Sequence, residues 1–275
     1  MTPEPPAAAV ADVAWLLNPW VLFSLTATTG LALWRWVVAP RLPAPSQPRA
    51  AEPSILLPFL GGFVVFQVAL GLAVSSLDGE TAPHSDLLAI QTAANLAGLL
   101  TVLLLVTLTG GSPRALRLRI RRPLLCLVAA FSAWLAFLPV MAVASWLNLA
   151  ALQWLGLDAG IQDHLRRFID EGGTESLFAW ASIALILPVC EEVMFRGALY
   201  GGLRRLVGPV SAMVLSGLTF GMAHDASVIV PVAALGMLFA WIYERTGSLL
   251  APCLLHIIHN SYTLTLASAI PEQFQ

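Results

Sequence analysis

The sequence predicts an all-α fold, a polytopic transmembrane helical bundle of about eight spans with its N-terminus and C-terminus outside. Hydrophobic residues make up 58% of the 275-residue chain and charged residues only 11%, with a mean hydropathy of +0.80. A soluble domain carries roughly a quarter charged residues. So few charges cannot cover the surface of a globule, and lipid is therefore the expected solvent for most of this chain.

Eight apolar stretches reach or approach the roughly 20 residues that a helix needs to cross a bilayer. They cover residues 13–33, 55–77, 87–109, 124–147, 177–199, 210–223, 228–243 and 249–269. The sixth and seventh are short and only residues 224–227 separate them, so one of the two is a candidate for a tilted, broken or shielded helix.

The arginines predict the orientation of the spans. A cleavable signal peptide has its positive charge before the apolar region, whereas nothing basic precedes Arg35 here. With the N-terminus outside, twelve of the fourteen arginines fall in inside loops, and only Arg166 and Arg167 fall outside. This is the bias that the positive-inside rule describes, and it predicts a multi-pass protein of the cell membrane.

A polar connection at residues 158–176 divides the chain into two halves. Residues 1–157 form a four-span region without motifs, in which Gln67, Gln91 and Asn95 are the main polar residues of the spans. Residues 177–275 form a four-span core that holds the ionisable side chains. No internal repeat is visible, which weakens a transporter interpretation. The sequence also lacks a basic run interleaved with aromatic residues, so a nucleic-acid partner is not expected.

Two adjacent carboxylates, Glu191 and Glu192, lie in the fifth stretch. A charge within a membrane helix costs about 2.5–3.5 kcal/mol or more, so it normally marks function. Residues four apart share a helix face, which lets Glu192 pair with Arg196. Glu191 points about 100° away and has no obvious local counter-ion. One carboxylate is then structural and the other free for chemistry, unless both are merely solvated at the membrane interface.

Histidines and an asparagine follow in the later stretches. Three of the five histidines fall in apolar surroundings, namely His224, His256 and His259. The other two, His84 and His164, lie in loops predicted to be polar and outside. His256 and Asn260 are four apart and share a face, with His259 about 60° to the side. A single intramembrane histidine is more often a packing residue, but this set together with Glu191 favours a polar site on three helices.

Small residues recur at a spacing of four, which permits close approach of helices in lipid. The pairs are Gly197 with Gly201, Gly217 with Gly221, and Gly236 with Ala240. The three cysteines, Cys126, Cys190 and Cys253, are widely spaced in apolar stretches and are predicted to be small buried side chains rather than disulfide partners.

Three strings together resemble a known family. They are Glu191-Glu192-x-x-x-Arg196, Phe220-x-x-x-His224 and His256-x-x-x-Asn260, in this order on successive motif-bearing helices. The set is similar to that of the CAAX-processing and bacteriocin-processing (CPBP) intramembrane protease family, also called type II CAAX prenyl endopeptidase-like or lysostaphin resistance protein-like. The resemblance covers roughly residues 176–266, about a third of the chain.

The resemblance implies an intramembrane endopeptidase that acts on a membrane-embedded or lipid-anchored peptide. It implies that Glu191 is the general base and that His224 helps to hold and activate the attacking water. His256 and Asn260 would then stabilise the oxyanion that forms on the scissile carbonyl. The remaining motif residues, Glu192 and Arg196, would brace the site.

The resemblance leaves the metal question open. Glu191, His224 and His256 have the donor types that bind zinc with one position left for water, and His259 is an extra candidate ligand. The sequence lacks the HExxH helix that predicts zinc strongly. No cofactor is therefore assigned, and both a glutamate-type and a zinc-dependent endopeptidase are carried forward.

Two other functions use the same residues. A proton- or ion-coupled transporter would use the Glu and His side chains as a relay. A catalytically inactive scaffold or immunity factor would keep the family fold without turnover, although all the motif positions are intact. Cleavage of a peptide by the purified protein in detergent, where no gradient exists, separates the protease from both.

Overall fold

The chain folds into a bundle of helices in the computed structural model, which describes residues 19–42, 56–76, 82–110, 116–118, 122–157, 163–170 and 176–269. The helices are α1 (Pro19–Leu33), α2 (Leu56–Ser75), α3 (His84–Leu108), α4 (Pro123–Trp154), α5 (Asp163–Asp170), α6 (Leu177–Val207), α7 (Pro209–Met222), α8 (Ile229–Thr246) and α9 (Leu250–Ala269). The described residues contain no β-strand.

The eight apolar stretches correspond one to one with α1–α4 and α6–α9. Six of these helical segments are long and apolar enough to cross a membrane, and they comprise Val21–Arg41, Leu56–Ser75, His84–Leu108, Pro123–Trp154, Leu177–Val207 and Ala226–Thr246. The short helix α7 has 14 residues, and α9 has 20 residues but carries two histidines and an asparagine. The polytopic helical bundle of a multi-pass membrane protein is confirmed; the count of eight spans stays a prediction.

The placement of the termini and of several loops also stays a prediction. Residues 1–18 and 270–275 lie outside the described residues, as do residues 158–162 and 171–175 of the predicted connection. Four of the arginines on which the orientation rests, at positions 49, 114, 119 and 121, lie outside them as well. Part of the connection forms the short helix α5 (Asp163–Asp170).

Helix α6 is irregular around its two glutamates. Its regular turn Leu187–Glu192 lies between two π-helical stretches, Ser182–Ile186 and Val193–Tyr200. Such wider turns within α-helices occur frequently at functional sites. The helix continues to Val207, eight residues beyond the predicted end at residue 199. The apolar pattern ended too early because the last helical segment, Gly201–Val207, carries the charged residues Arg204 and Arg205.

Glycines bring α7 and α8 into backbone contact, as their spacing predicts. A Cβ atom added at Gly221 would lie 2.6 Å from the carbonyl oxygen of Ile229 and 2.7 Å from Cβ of Ala233. A Cβ atom added at Gly236 would lie 3.1 Å from Cα of Gly217. The two helices therefore pack with no room for a larger side chain between them.

Replacing Gly221 by Ala is expected to lower the free energy of unfolding by about 1–3 kcal/mol, because the added methyl group meets backbone that cannot rotate away. Gly71→Ala on α2 is the matched control, since nothing lies within 4 Å of its added Cβ atom. Thermal unfolding of the detergent-solubilised variants measures both changes. Equal midpoints for the two variants would contradict the close packing of α7 on α8.

Asn148 of α4 fixes the turn that follows α7. Its Nδ2 donates to the carbonyl oxygens of Ser227 at 2.7 Å and Ala226 at 3.2 Å. Its Oδ1 accepts a hydrogen bond of 3.0 Å from the backbone nitrogen of Val230, in the first turn of α8. One buried side chain thus holds the segment just after His224 against the N-terminal half of the bundle.

Candidate active site

All four predicted catalytic side chains line one cavity within the bundle. This cavity, called here the inner cavity, has a volume of about 190 Å³ and is lined by Glu191, His224, His256 and Asn260 among others. Helices α6 and α9 and the turn after α7 supply these four residues, so the spacing of the motifs along the chain becomes a cluster in space. The catalytic roles of the four stay predictions.

Glu192 lies at the centre of a buried polar network. Its side chain has no exposed surface, and its Oε1 lies 3.0 Å from Nη1 of Arg196. The same oxygen lies 2.9 Å from Nδ1 of His256. Because a carboxylate only accepts, the ring nitrogen that faces it donates. Glu192 therefore pairs with Arg196 as the helical spacing predicts, and it also orients His256, a contact that the sequence reasoning did not include.

Arg196 ties three helices together through its guanidinium. The guanidinium carbon lies 4.2 Å from the ring centroid of Phe220 and 4.7 Å from that of Phe239. Its Nη2 donates to the carbonyl oxygen of Gly236 at 3.3 Å. Cation–π contacts are strongest where the charge is removed from water, and this side chain is 1% exposed. The arrangement suits the bracing role that the motif implies.

Glu191 occupies a different environment from its neighbour. Its side chain is 16% exposed, and its Oε2 lies 3.9 Å from Nε2 of His256. Among the described residues, Arg196 forms its ion pair with Glu192 and not with Glu191. One carboxylate of the pair is thus enclosed in a network, and the other faces the cavity.

His224 and Asn260 each bond to a backbone carbonyl oxygen of the bundle. Nδ1 of His224 lies 2.7 Å from the carbonyl oxygen of Phe220, so Nδ1 is the donor and Nε2 carries the lone pair of the neutral ring. Nδ2 of Asn260 donates at 2.8 Å to the carbonyl oxygen of Ile183, in the first π-helical stretch of α6. This bond uses one of the two hydrogens on the amide nitrogen.

His84 contradicts the prediction that it lies in a polar outside loop. It is the first residue of α3 and is only 3% exposed, and it lines the inner cavity together with His259. The helix begins three residues earlier than the apolar pattern suggested, which carries His84 into the bundle. His164 was also assigned to a loop, and its position falls within α5.

The N-terminal half contributes a polar face that the sequence reasoning did not assign to the site. His84, Leu88, Gln91 and Asn95 recur at spacings of four, three and four, and therefore share one side of α3. This side faces the cavities. Within it, Nδ2 of Asn95 donates to the carbonyl oxygen of Gln91 at 3.0 Å. The helical spacing of His84, Gln91 and Asn95 was the signal in the sequence that could have placed this side of α3 at the site.

A second, larger cavity of about 440 Å³ adjoins the first and is called here the outer cavity. Much of its wall is apolar and comes from α2, through Phe63, Phe66, Leu70 and Val74. Gln91, Glu191 and His224 line both cavities. The candidate general base thus lies where the two cavities meet, with the apolar wall of α2 on one side and His256 and Asn260 on the other.

The described residues do not gather the predicted zinc ligands into a metal site. Glu191, His224 and His256 line the same cavity, yet no group of three or more His, Cys, Asp or Glu side chains in the described ranges is placed to hold a metal ion. The three cysteines are free thiols buried in the bundle. No catalytic step is therefore derived through a metal.

Comparison with known proteins supports the family resemblance. The family model described as "Type II CAAX prenyl endopeptidase Rce1-like" matches residues 173–262, a segment that contains every motif residue of the predicted site. The chain is 29% identical over 97 residues to "Membrane-embedded CAAX protease MroQ" of Staphylococcus aureus (strain USA300), which is 33% of this chain and 39% of the relative.

A second relative matches a segment of similar length. "Putative membrane peptidase YdiL" of Bacillus subtilis (strain 168) is 27% identical over 84 residues, which is 30% of this chain and 34% of the relative. The matches thus span less than two fifths of the length of either relative. No solved structure matches the chain. The predicted resemblance is confirmed over residues 173–262.

Proposed function

We propose that this protein is an intramembrane endopeptidase in which Glu191 activates the attacking water, because residues 173–262 match the Rce1-like family model of CAAX prenyl endopeptidases. The observation that carries the proposal is the convergence of Glu191, His224, His256 and Asn260 on one cavity. A general base must lie within hydrogen-bond reach of the proton that it removes, and a water molecule in this cavity meets that requirement.

Glu191 and His224 together orient the water. The carboxylate of Glu191 accepts one of its hydrogens, and Nε2 of His224 accepts the other, since Nδ1 is the donor to Phe220. A lone pair of the water oxygen then points at the scissile carbonyl carbon. As the C–O bond forms, the proton passes to Glu191, which returns it to the leaving nitrogen as the C–N bond breaks.

His256 and Asn260 supply the donors for the oxyanion. Asn260 has a second N–H beyond the one bonded to Ile183. His256 donates from Nε2 when its ring carries two protons, because Nδ1 already donates to Glu192. Each such donor in a water-poor site contributes about 3 kcal/mol to the transition state.

The lining of the outer cavity favours a substrate that is embedded in the membrane or anchored to it. Its apolar wall from α2 lies beside Glu191, so it suits an apolar peptide segment or a lipid-anchored one with its cleavage site at the junction of the cavities. The bilayer is then the medium that both the enzyme and its substrate share.

The purified protein in detergent is expected to cleave fluorescence-quenched peptides that carry an apolar segment, and to do so equally after treatment with 1,10-phenanthroline. Detergent removes any gradient, so a transporter gives no signal in this assay. Mass spectrometry of the products identifies the broken bond. Loss of cleavage on chelation with recovery on added zinc would reassign the enzyme as a metallo-endopeptidase, and no cleavage of any peptide would favour the scaffold or the transporter.

A further inference from the structure

We infer that Gln91 of α3 is a substrate-binding residue, whose side-chain amide pairs with a backbone peptide unit of the substrate beside the scissile bond. The inference rests on the proposed function and deepens it, because it assigns a part of the site to the N-terminal half of the chain. That half lies outside the segment matched by the family model, which begins at residue 173.

The position of Gln91 is the first reason. Among the described residues that line the two cavities, Gln91, Glu191 and His224 are the ones common to both. The other two are the candidate base and its partner in holding the water. A residue that shares their place at the junction is therefore close to a peptide bond that is attacked by the water which Glu191 activates.

The state of the Gln91 side chain is the second reason. It makes no hydrogen bond to any residue in the described ranges, although the backbone carbonyl of Gln91 accepts one from Asn95. Its surroundings on α3 are largely apolar, and Leu87 and Leu88 beside it also line the cavities. The Gln91 side chain is partly buried and lines both cavities, so its amide can meet a ligand there. A bound peptide that displaces water from this amide must offer it a partner, because an unpaired polar group in an apolar site is costly.

The chemistry of a carboxamide is the third reason. A peptide chain must be extended to expose a bond for hydrolysis, and in an apolar chamber its N–H and C=O groups then lack water. A carboxamide offers one acceptor and one pair of donors, which is the complement of a peptide N–H and C=O. In the outer cavity the other side-chain amide, that of Asn95, already donates to the backbone of Gln91.

The test compares Gln91→Leu with Gln67→Leu in the peptide assay in detergent. Gln67 is the matched control because it is an exposed glutamine of α2 that lines neither cavity. Gln91→Leu is expected to lower kcat/KM about tenfold or more, as expected for an unmade hydrogen bond, while Gln67→Leu leaves kcat/KM unchanged. Thermal unfolding shows whether both variants are folded. Gln91→Leu is expected to lose little stability, because its side-chain amide makes no hydrogen bond to a described residue.

A second arm separates contact with the substrate from an indirect effect. Peptides of one sequence are each N-methylated at one peptide bond near the cleavage site, which removes one backbone donor at a time. At one position the wild-type protein is expected to lose activity by about the same factor as Gln91→Leu, and the variant is expected to lose nothing more there. Such non-additivity is the signature of two groups that interact directly.

Failure of the inference and failure of the proposed function give different results. If cleavage requires Glu191 but Gln91→Leu cleaves like the wild-type protein, Gln91 does not bind the substrate. If the losses from Gln91→Leu and from N-methylation multiply at every position, Gln91 acts elsewhere than on the backbone. If the wild-type protein cleaves none of the peptides, or Glu191→Gln cleaves as well as wild type, the protease proposal fails and this inference falls with it.

Discussion

Glu191→Gln is expected to lower kcat by at least about 100-fold, the smaller end of what a general base contributes. The substitution keeps the shape of the side chain and removes the basic oxygen that faces the cavity. Because Glu191 stands apart from the Glu192–Arg196 pair, the fold should survive, and peptide binding should change little. Steady-state kinetics with quenched peptides, together with a thermal unfolding curve, measure both expectations.

The control for Glu191→Gln is Asp170→Asn, which removes an exposed carboxylate from α5 and should leave turnover unchanged. His224→Ala and His256→Ala are expected to abolish cleavage as well, since they remove the second acceptor for the water and one oxyanion donor. Full turnover by Glu191→Gln would show that another group removes the proton and that the general-base assignment is wrong.

Arg196→Leu is expected to destabilise the protein by about 3–5 kcal/mol, because it leaves Glu192 buried without its counter-charge. The loss includes the contacts of the guanidinium with Phe220 and Phe239. Urea or thermal unfolding in detergent measures the change. Activity falls with stability, since Glu192 also orients His256.

The double variant Glu192→Leu with Arg196→Leu makes this prediction specific. Removing both charges abolishes the unpaired carboxylate, so part of the stability is expected to return. Activity is not expected to return, because Nδ1 of His256 has lost its acceptor. A double variant that is less stable than Arg196→Leu, or an Arg196→Leu protein as stable as wild type, would show that the pair does not brace the bundle.

The helices were predictable from the sequence because apolar length is nearly the only requirement that lipid imposes on a spanning segment. The pairing of Glu192 with Arg196 and the glycine contact of α7 with α8 followed from a spacing of four. The position of His84 was predicted wrongly because the first residue of a helix depends on capping and packing, and a pattern of apolar residues reports neither. The bond from Glu192 to His256 joins residues 64 positions apart, and no local pattern predicts such a contact.

The intramembrane histidines, Asn260 and Glu191 favoured a polar site, but the choice of the four catalytic candidates came from the family resemblance. Helical periodicity gives the faces of each helix but not which faces meet. The π-helical stretches on both sides of Leu187–Glu192 also change the direction of side chains relative to a regular helix. The motifs did not indicate that α3 lines the cavities, because Gln91 and Asn95 lie in the N-terminal half, which contains no motif of the family.

The glycine seam between α7 and α8 also bears on how a substrate reaches the site. Gly217, Gly221 and Gly236 lie against the backbone of the opposite helix, which leaves no gap for an acyl chain or a peptide side chain. A molecule that diffuses laterally through the bilayer therefore cannot pass between α7 and α8. For a substrate of the proposed protease, the side of α2 is the better placed route, because Phe63 and Phe66 line the outer cavity together with Glu191.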